Sequence, residues 1–278
     1  MSVLLAVLFG AVSGLALGLT GAGGSLFTLP LLVYGLHIPT LEAVTISLAA
    51  TGGTALVGAV ERWRSGEVAI RVVVIVALAG FAGAPLGTLA GAHLARQWLM
   101  GSFALLMVVL SILMWRRADR DPTAGNPIRM GGSEESYGTA PACGLDTLGR
   151  LDLTPACTTV LAVSGFVTGF LSGLFGVGGG FLIVPALTLA AALPVHTAVA
   201  TSLPIIALVG GAGFVSHLVS RGMPDPTITI TFWLGGLAGI AVGGRMARRL
   251  AGPRLQKVFA LMLWIAVLWI GIREWGVG

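Results

Sequence analysis

The sequence predicts an all-α polytopic membrane protein made of two inverted repeats, each of about five helical segments with one short broken or re-entrant helix. Three observations carry this. Of the 278 residues, 56% are hydrophobic and 10% are charged, whereas a soluble domain carries about 25% charge. No water-facing shell could cover that much apolar surface, so the bilayer must be the solvent. Ten apolar runs follow one another along the chain, and the second half repeats the first at an offset of 155.

The runs fall at about 3–20, 25–36, 40–60, 68–91, 98–115, 156–175, 180–192, 197–219, 227–247 and 254–272. A full span needs about 20 residues, and eight runs qualify. The runs at 25–36 and 180–192 are short. At the helical rise each reaches roughly 18–20 Å against about 30 Å of hydrocarbon. Each follows a glycine cluster, Gly21-Ala22-Gly23-Gly24 or Gly176-Val177-Gly178-Gly179-Gly180. Met1 to Ala16 lacks the basic start of a signal peptide and matches a mid-chain segment, so it is read as a mature membrane helix.

The repeat sets Gly14, Gly18, Gly21, Gly23 and Gly24 against Gly169, Gly173, Gly176, Gly178 and Gly179. Pro30 and Pro39 match Pro185 and Pro194, and the Ala43-Val44-x-x-Ser47-Leu48 run matches Ala198-Val199-x-x-Ser202-Leu203. One inserted residue later, Gly80, Gly83 and Gly87 match Gly236, Gly239 and Gly243. Chance can align glycines in a glycine-rich chain, but not these prolines and the Ala-Val-x-x-Ser-Leu run in the same register. The units are a first repeat over 1–116, a polar linker over 117–154 and a second repeat over 155–278.

Arginine and lysine gather on the cytoplasmic side of a membrane. With the chain changing sides at each run, 13 of the 16 basic residues fall on one side, and Arg96, Arg221 and Arg273 on the other. The linker is then cytoplasmic and both termini lie outside. Five runs per half is an odd number, so the halves enter with opposite orientation; a re-entrant pair keeps the count odd. The net charge of +5 does not point to nucleic acid, because the arginines sit between apolar runs. Cys143 and Cys157 have no metal-ligand spacing and read as two free thiols.

The two glycine breaks are the strongest candidate sites. A helix that starts inside the membrane exposes free N–H groups and a partial positive charge, which binds an anion without a buried basic side chain. Paired breaks in inverted halves are where a transporter holds its substrate. Gly21, Gly23, Gly24, Ser25, Gly176, Gly178, Gly179 and Gly180 are the residues in question; tight packing is the alternative, and for the scattered Gly80, Gly83 and Gly87 the favoured one. A Walker loop is excluded, since Ser25-Leu26 and Phe181-Leu182 stand where Lys and Ser or Thr are needed. Past Pro39 and Pro194, Ser47, Thr201 and Ser202 either complete an anion's shell or bond back to their own helices. Glu42 and His196 are candidate proton-coupling groups; the bland readings are a helix N-terminal acid and an interfacial histidine. His37, His93 and His217 lie at predicted helix ends. No cofactor, metal or catalytic group is expected.

The segments Gly18-Leu-Thr-Gly-Ala-Gly-Gly-Ser-Leu-Phe-Thr-Leu-Pro30 and Gly173-Leu-Phe-Gly-Val-Gly-Gly-Gly-Phe-Leu-Ile-Val-Pro185 resemble those of the sulfite exporter TauE/SafE family of bacterial membrane transporters. The resemblance spans both halves and omits 117–154. It implies an inner-membrane carrier for sulfite or a small organosulfur anion, working by export, and it carries Gly21, Gly23, Gly24, Pro30, Gly176, Gly178, Gly179 and Pro185 as family positions. Ile46 stands where the second half has Thr201, so the two hydroxyl patches differ. Two other functions compete with a secondary transporter: a passive anion channel, and an intramembrane serine protease with Ser172 as nucleophile. The lipid bilayer and a small anion are the expected partners.

Overall fold

A computed structural model describes residues 2–21, 24–94, 96–120, 144–145, 151–152, 154–175, 180–191, 193–250 and 252–275. These form ten α-helices: α1 Ser2–Thr20, α2 Gly24–Pro30, α3 Thr40–Arg64, α4 Ile70–Ala92, α5 Arg96–Arg120, α6 Pro155–Phe175, α7 Gly180–Leu189, α8 Val195–Arg221, α9 Pro226–Arg249 and α10 Gly252–Trp275. Each matches one of the ten apolar runs. α5 ends four residues past the expected boundary at 116. Within the linker, Gly144–Leu145 (β1) and Leu151–Asp152 (β2) form a two-residue antiparallel ladder.

The helix starts are set locally. Asp225 caps α9 by accepting from the Thr227 N–H at 2.8 Å, with Pro226 at the first helical position. The Thr154 hydroxyl accepts from the Cys157 N–H at the start of α6. Pro39 and Pro194 are the extended N-cap residues of α3 and α8. After Pro30, which has no N–H to continue the α-type ladder, the chain runs on as a π-helical turn over Leu31–Gly35.

Seven of the described helices are long and apolar enough to cross a membrane. Leu4, Leu78, Leu105 and Leu268 stand exposed on their outer faces, as lipid-facing residues do. Exposed Trp63, Trp98 and Trp115 sit near helix ends, where an aromatic belt meets headgroups. α2 and α7 are the short ones, with 7 and 10 residues. Eight residues of α7 are buried, which keeps the open backbone groups of a short helix away from lipid.

The two halves interleave. α1 packs along α9, α4 along α6, α3 against α8, α5 against α10 and α2 against α7. Swapping each helix for its repeat mate maps this set of contacts onto itself. The registers give directions. Val7, Ala11 and Leu15 lie against Gly235, Gly239 and Gly243, so α1 and α9 run parallel. Gly83, Gly87 and Gly91 meet Phe166, Phe170 and Leu174, so α4 and α6 do too. Gly52 meets Gly210 and Leu48 meets Gly213, so α3 and α8 are antiparallel.

Glycine makes the parallel pairs. A Cβ on Gly14 would overlap the Gly236 carbonyl, and one on Gly87 the Phe170 carbonyl. Such contacts bring backbones together in the small-xxx-small manner of membrane helices. The packing role expected of Gly80, Gly83 and Gly87 is what these contacts describe.

One expectation is overturned. Cys157 is fully buried and disulfide-bonded rather than a free thiol, and Cys143 is the one other cysteine in the chain. Spacing in sequence said nothing of a bridge at Cys157, because two cysteines alone form no framework pattern to reveal it.

Candidate functional site

The first break is built from α1, α2 and α8. Gly21 has φ +68°, a left-handed conformation that favours glycine. A Cβ there would lie 2.7 Å from the Ser202 Oγ and 2.8 Å from the Val199 Cα. Ser202 is fully buried, and its hydroxyl reaches the Gly21 carbonyl at 2.7 Å and its own Val199 carbonyl at 2.9 Å. The break of one half is thus fastened to a long helix of the other. Gly24, the first residue of α2, is held from behind: the Ser13 and Thr28 hydroxyls both donate to its carbonyl, at 3.0 and 2.7 Å, and touch each other. Gly24 leaves no room for a side chain, since a Cβ would meet Leu17 Cβ at 2.7 Å.

Gly180 opens α7 and is buried. Gly23, Gly176, Gly178 and Gly179 lie outside the described residues, as does the side chain of Ser25 in α2. Ser47 is buried in α3 and its carbonyl accepts from the Thr51 hydroxyl.

Thr201 and Glu42 share a task that sequence did not announce. The Thr201 hydroxyl accepts from the Ala69 N–H at 3.3 Å, at the start of α4. The Glu42 carboxylate accepts from the Asp225 N–H at 3.1 Å, at the start of α9. Ala69 and Asp225 are repeat mates at the offset of 156. Each half therefore tethers the other half's fourth helix by its cap, using Glu42 in the first turn of α3 and Thr201 in the second turn of α8. This explains why Ile46 can replace the hydroxyl at Thr201: in its place, buried against Phe232, it serves an apolar cluster.

His196 belongs to a charged group at the arginine-rich end. Its imidazole lies beside Arg62 and Glu67 and hydrogen-bonds the Leu250 backbone. Arg62 is buried, 4% exposed, and pairs with Glu67 at 2.5 Å. Arg248 reaches Glu61 at 3.1 Å and Glu67 at 3.9 Å. The network joins α3, the α3–α4 turn, α8 and α9. His37 and His93 are exposed, His37 in a turn with φ +56°; the side chain of His217 is outside the described residues.

Two small cavities flank the centre, each with room for about one water. They are repeat mates. Gly10, Ser13, Gly14 and Leu17 of α1 in the first answer to Gly165, Thr168, Gly169 and Ser172 of α6 in the second. Ala50 and Thr54 of α3 answer to Ile205 and Val209 of α8, and Phe232 and Gly236 of α9 to Val76 and Gly80 of α4. Ser172 is 7% exposed, and no histidine or carboxylate lines its cavity, so nothing there equips it as a nucleophile.

Sequence reasoning missed Trp233. Its indole N–H is buried without a hydrogen-bond partner among the described residues and lies 2.6 Å from where a Cβ of Gly53 would stand. An unpaired buried donor is costly, and a tryptophan among seven in an apolar chain gave no signal of it.

Comparison with known proteins points to a membrane transporter. The chain matches the family described as Sulfite exporter TauE/SafE over residues 6–270. It is 33% identical to a "Probable membrane transporter protein" of Xylella fastidiosa (strain 9a5c) over 272 residues, covering 96% of this chain and 94% of the relative. It is 27% identical to the "Probable membrane transporter protein YunE" of Bacillus subtilis (strain 168) over 285 residues, covering 98% and 97%. No solved structure matches it. With apolar helices interleaved over its whole length and the family match running nearly end to end, the chain belongs to the sulfite exporter TauE/SafE family and is a membrane transporter.

Proposed function

We propose that this transporter moves sulfite or a small organosulfur anion across the bacterial inner membrane, exporting it by alternating access between two inverted halves. The anion is held at the breaks before α2 and α7, by backbone N–H groups of Gly21, Gly23, Gly24 and Ser25 and of Gly176, Gly178, Gly179 and Gly180, with Ser47 near by. The observation that carries this reading is the meeting of the two short helices. α2 and α7 touch each other between the halves, and each follows a glycine segment. Helix starts facing a shared centre offer N–H donors and positive dipole ends to one anion. To these donors we add the Trp233 N–H, which is buried without a hydrogen-bond partner among the described residues. Ser202 and Thr201 act as supports, since their hydroxyls are committed to Gly21 and Ala69.

The inverted arrangement is supported by the parallel and antiparallel registers, which fit ten alternating segments. The arginine count sets the linker inside and the termini outside. Glu42 and His196, in the cap tether and the charged network, are where proton coupling would act. Backbone-to-backbone packing of Gly52 on Gly210 supports a carrier over a standing pore.

Binding tests the site directly. Sulfite, and to differing degrees sulfoacetate and taurine, is expected to raise the unfolding temperature of the purified protein saturably. Trp233→Phe, which keeps the ring and loses the donor, is expected to weaken the apparent affinity about tenfold, the worth of roughly 1.4 kcal/mol. Indifference of the folded protein to every such anion would refute the proposal.

A further inference from the structure

The two cavities are mates in position and differ in chemistry. The first is lined by three hydroxyl residues, Ser13, Thr51 and Thr54, while the second has aliphatic Ile205 and Val209 where the first has Ala50 and Thr54. Hydrogen bonding commits two of the first cavity's three hydroxyls. Ser13 donates to the Gly24 carbonyl and Thr51 to the Ser47 carbonyl. Thr51 therefore turns oxygen lone pairs to any other neighbour, while the Ser13 proton is shared between the Gly24 carbonyl and the Thr28 hydroxyl it touches. Thr54 is 2% exposed, and its hydroxyl makes no hydrogen bond among the described residues. No lining side chain carries an N–H group or a charge.

Such a cavity offers an anion only the Thr54 hydroxyl as an uncommitted donor, and lacks the carboxylates a divalent ion requires. Neutral oxygen acceptors in a space of about one water suit a small monovalent cation. Hard oxygen ligands beside a broken helix are also how transporters hold coupling ions. We infer that the cavity between α1, α3 and α9 binds a sodium ion, with the Ser13, Thr51 and Thr54 hydroxyl oxygens among its ligands. The placement ties it to transport: Ser13, at the cavity wall, also holds the first residue of α2, so cation occupancy bears on the geometry of that break. This last link rests on the anion-transport reading; the ion site does not.

The test is thermal unfolding of the purified full chain in choline chloride, titrated with NaCl, KCl or more choline chloride at constant ionic strength and without any substrate anion. A saturable rise in unfolding temperature with sodium, absent with potassium and choline, is expected. Thr54→Val is expected to raise the half-saturating sodium concentration by about tenfold or more, and Thr54→Ser to keep the response. Thr168→Val, in the mate cavity, is expected to leave it unchanged. An equal response to all three salts, or a sodium response untouched in both Thr54→Val and Ser13→Ala, would mean that the cavity holds water only and would overturn the inference. Because no anion is present, this outcome is independent of whether sulfite binds.

Discussion

At Gly21 a single backbone angle and a single hydroxyl decide how one half meets the other. Alanine there takes on the left-handed penalty and drives a Cβ onto the Val199 backbone, for a combined cost of about 2–4 kcal/mol. Ser202→Ala strips the Gly21 carbonyl of its cross-half donor and should cost about 1–3 kcal/mol. Unfolding of the detergent-solubilised variants checks both, and a Gly21→Ala protein as stable as the parent would contradict the geometry. Gly21 and Ser202 were legible as candidates because glycine clusters and matched hydroxyls stand out in an apolar chain. That they bind each other across 181 residues was not, since pattern within a half carries no information on contacts between halves. Glu42 and Thr201 show the same limit. Their positions near the start of a helix were readable, but the N–H groups they receive belong to helices placed beside them by the fold.

Among elements, the two parallel pairs carry the assembly, and glycine rows are their mechanism. Gly87→Val should cost roughly 3 kcal/mol or more, because the obstacle is the Phe170 backbone and not a movable side chain. Gly101→Ala, on α5 with open space around it, should be neutral or slightly stabilising. Yield of monodisperse protein separates the two; equal behaviour would mean that the rows do not set the packing. The charged network makes a second prediction. Glu67→Gln leaves buried Arg62 without its counter-charge and should cost about 2 kcal/mol, less than a fully buried pair because Glu67 is partly open to water. Asp119→Asn, which breaks the exposed Lys257 pair, should cost less than about 1 kcal/mol. The shift in unfolding temperature for each variant checks this order. Helix number, the two short helices and most boundaries were readable because hydrophobic length is set by the bilayer itself. The interleaving of α1 with α9 and α4 with α6 was not, since each glycine row fits any other small-residue face.

For the whole molecule, the exchange symmetry of the contacts and the matched cavities extend the sequence repeat into three dimensions. A symmetric pair of halves around two short helices in contact can expose one centre to either side in turn, which a fixed pore does not need. The disulfide at Cys157 was beyond sequence, and so were the asymmetries between the mate cavities, which arise where Ser172 replaces Leu17 and Val209 replaces Thr54 in register. Counterflow of sulfite in proteoliposomes tests the carrier most directly: vesicles loaded with unlabelled sulfite and diluted into trace labelled sulfite should accumulate label transiently above equilibrium, with a saturable initial rate that Gly21→Ala suppresses. Label that only equilibrates, at a rate linear in concentration, would contradict alternating access, and no movement of label by folded protein would contradict sulfite as substrate.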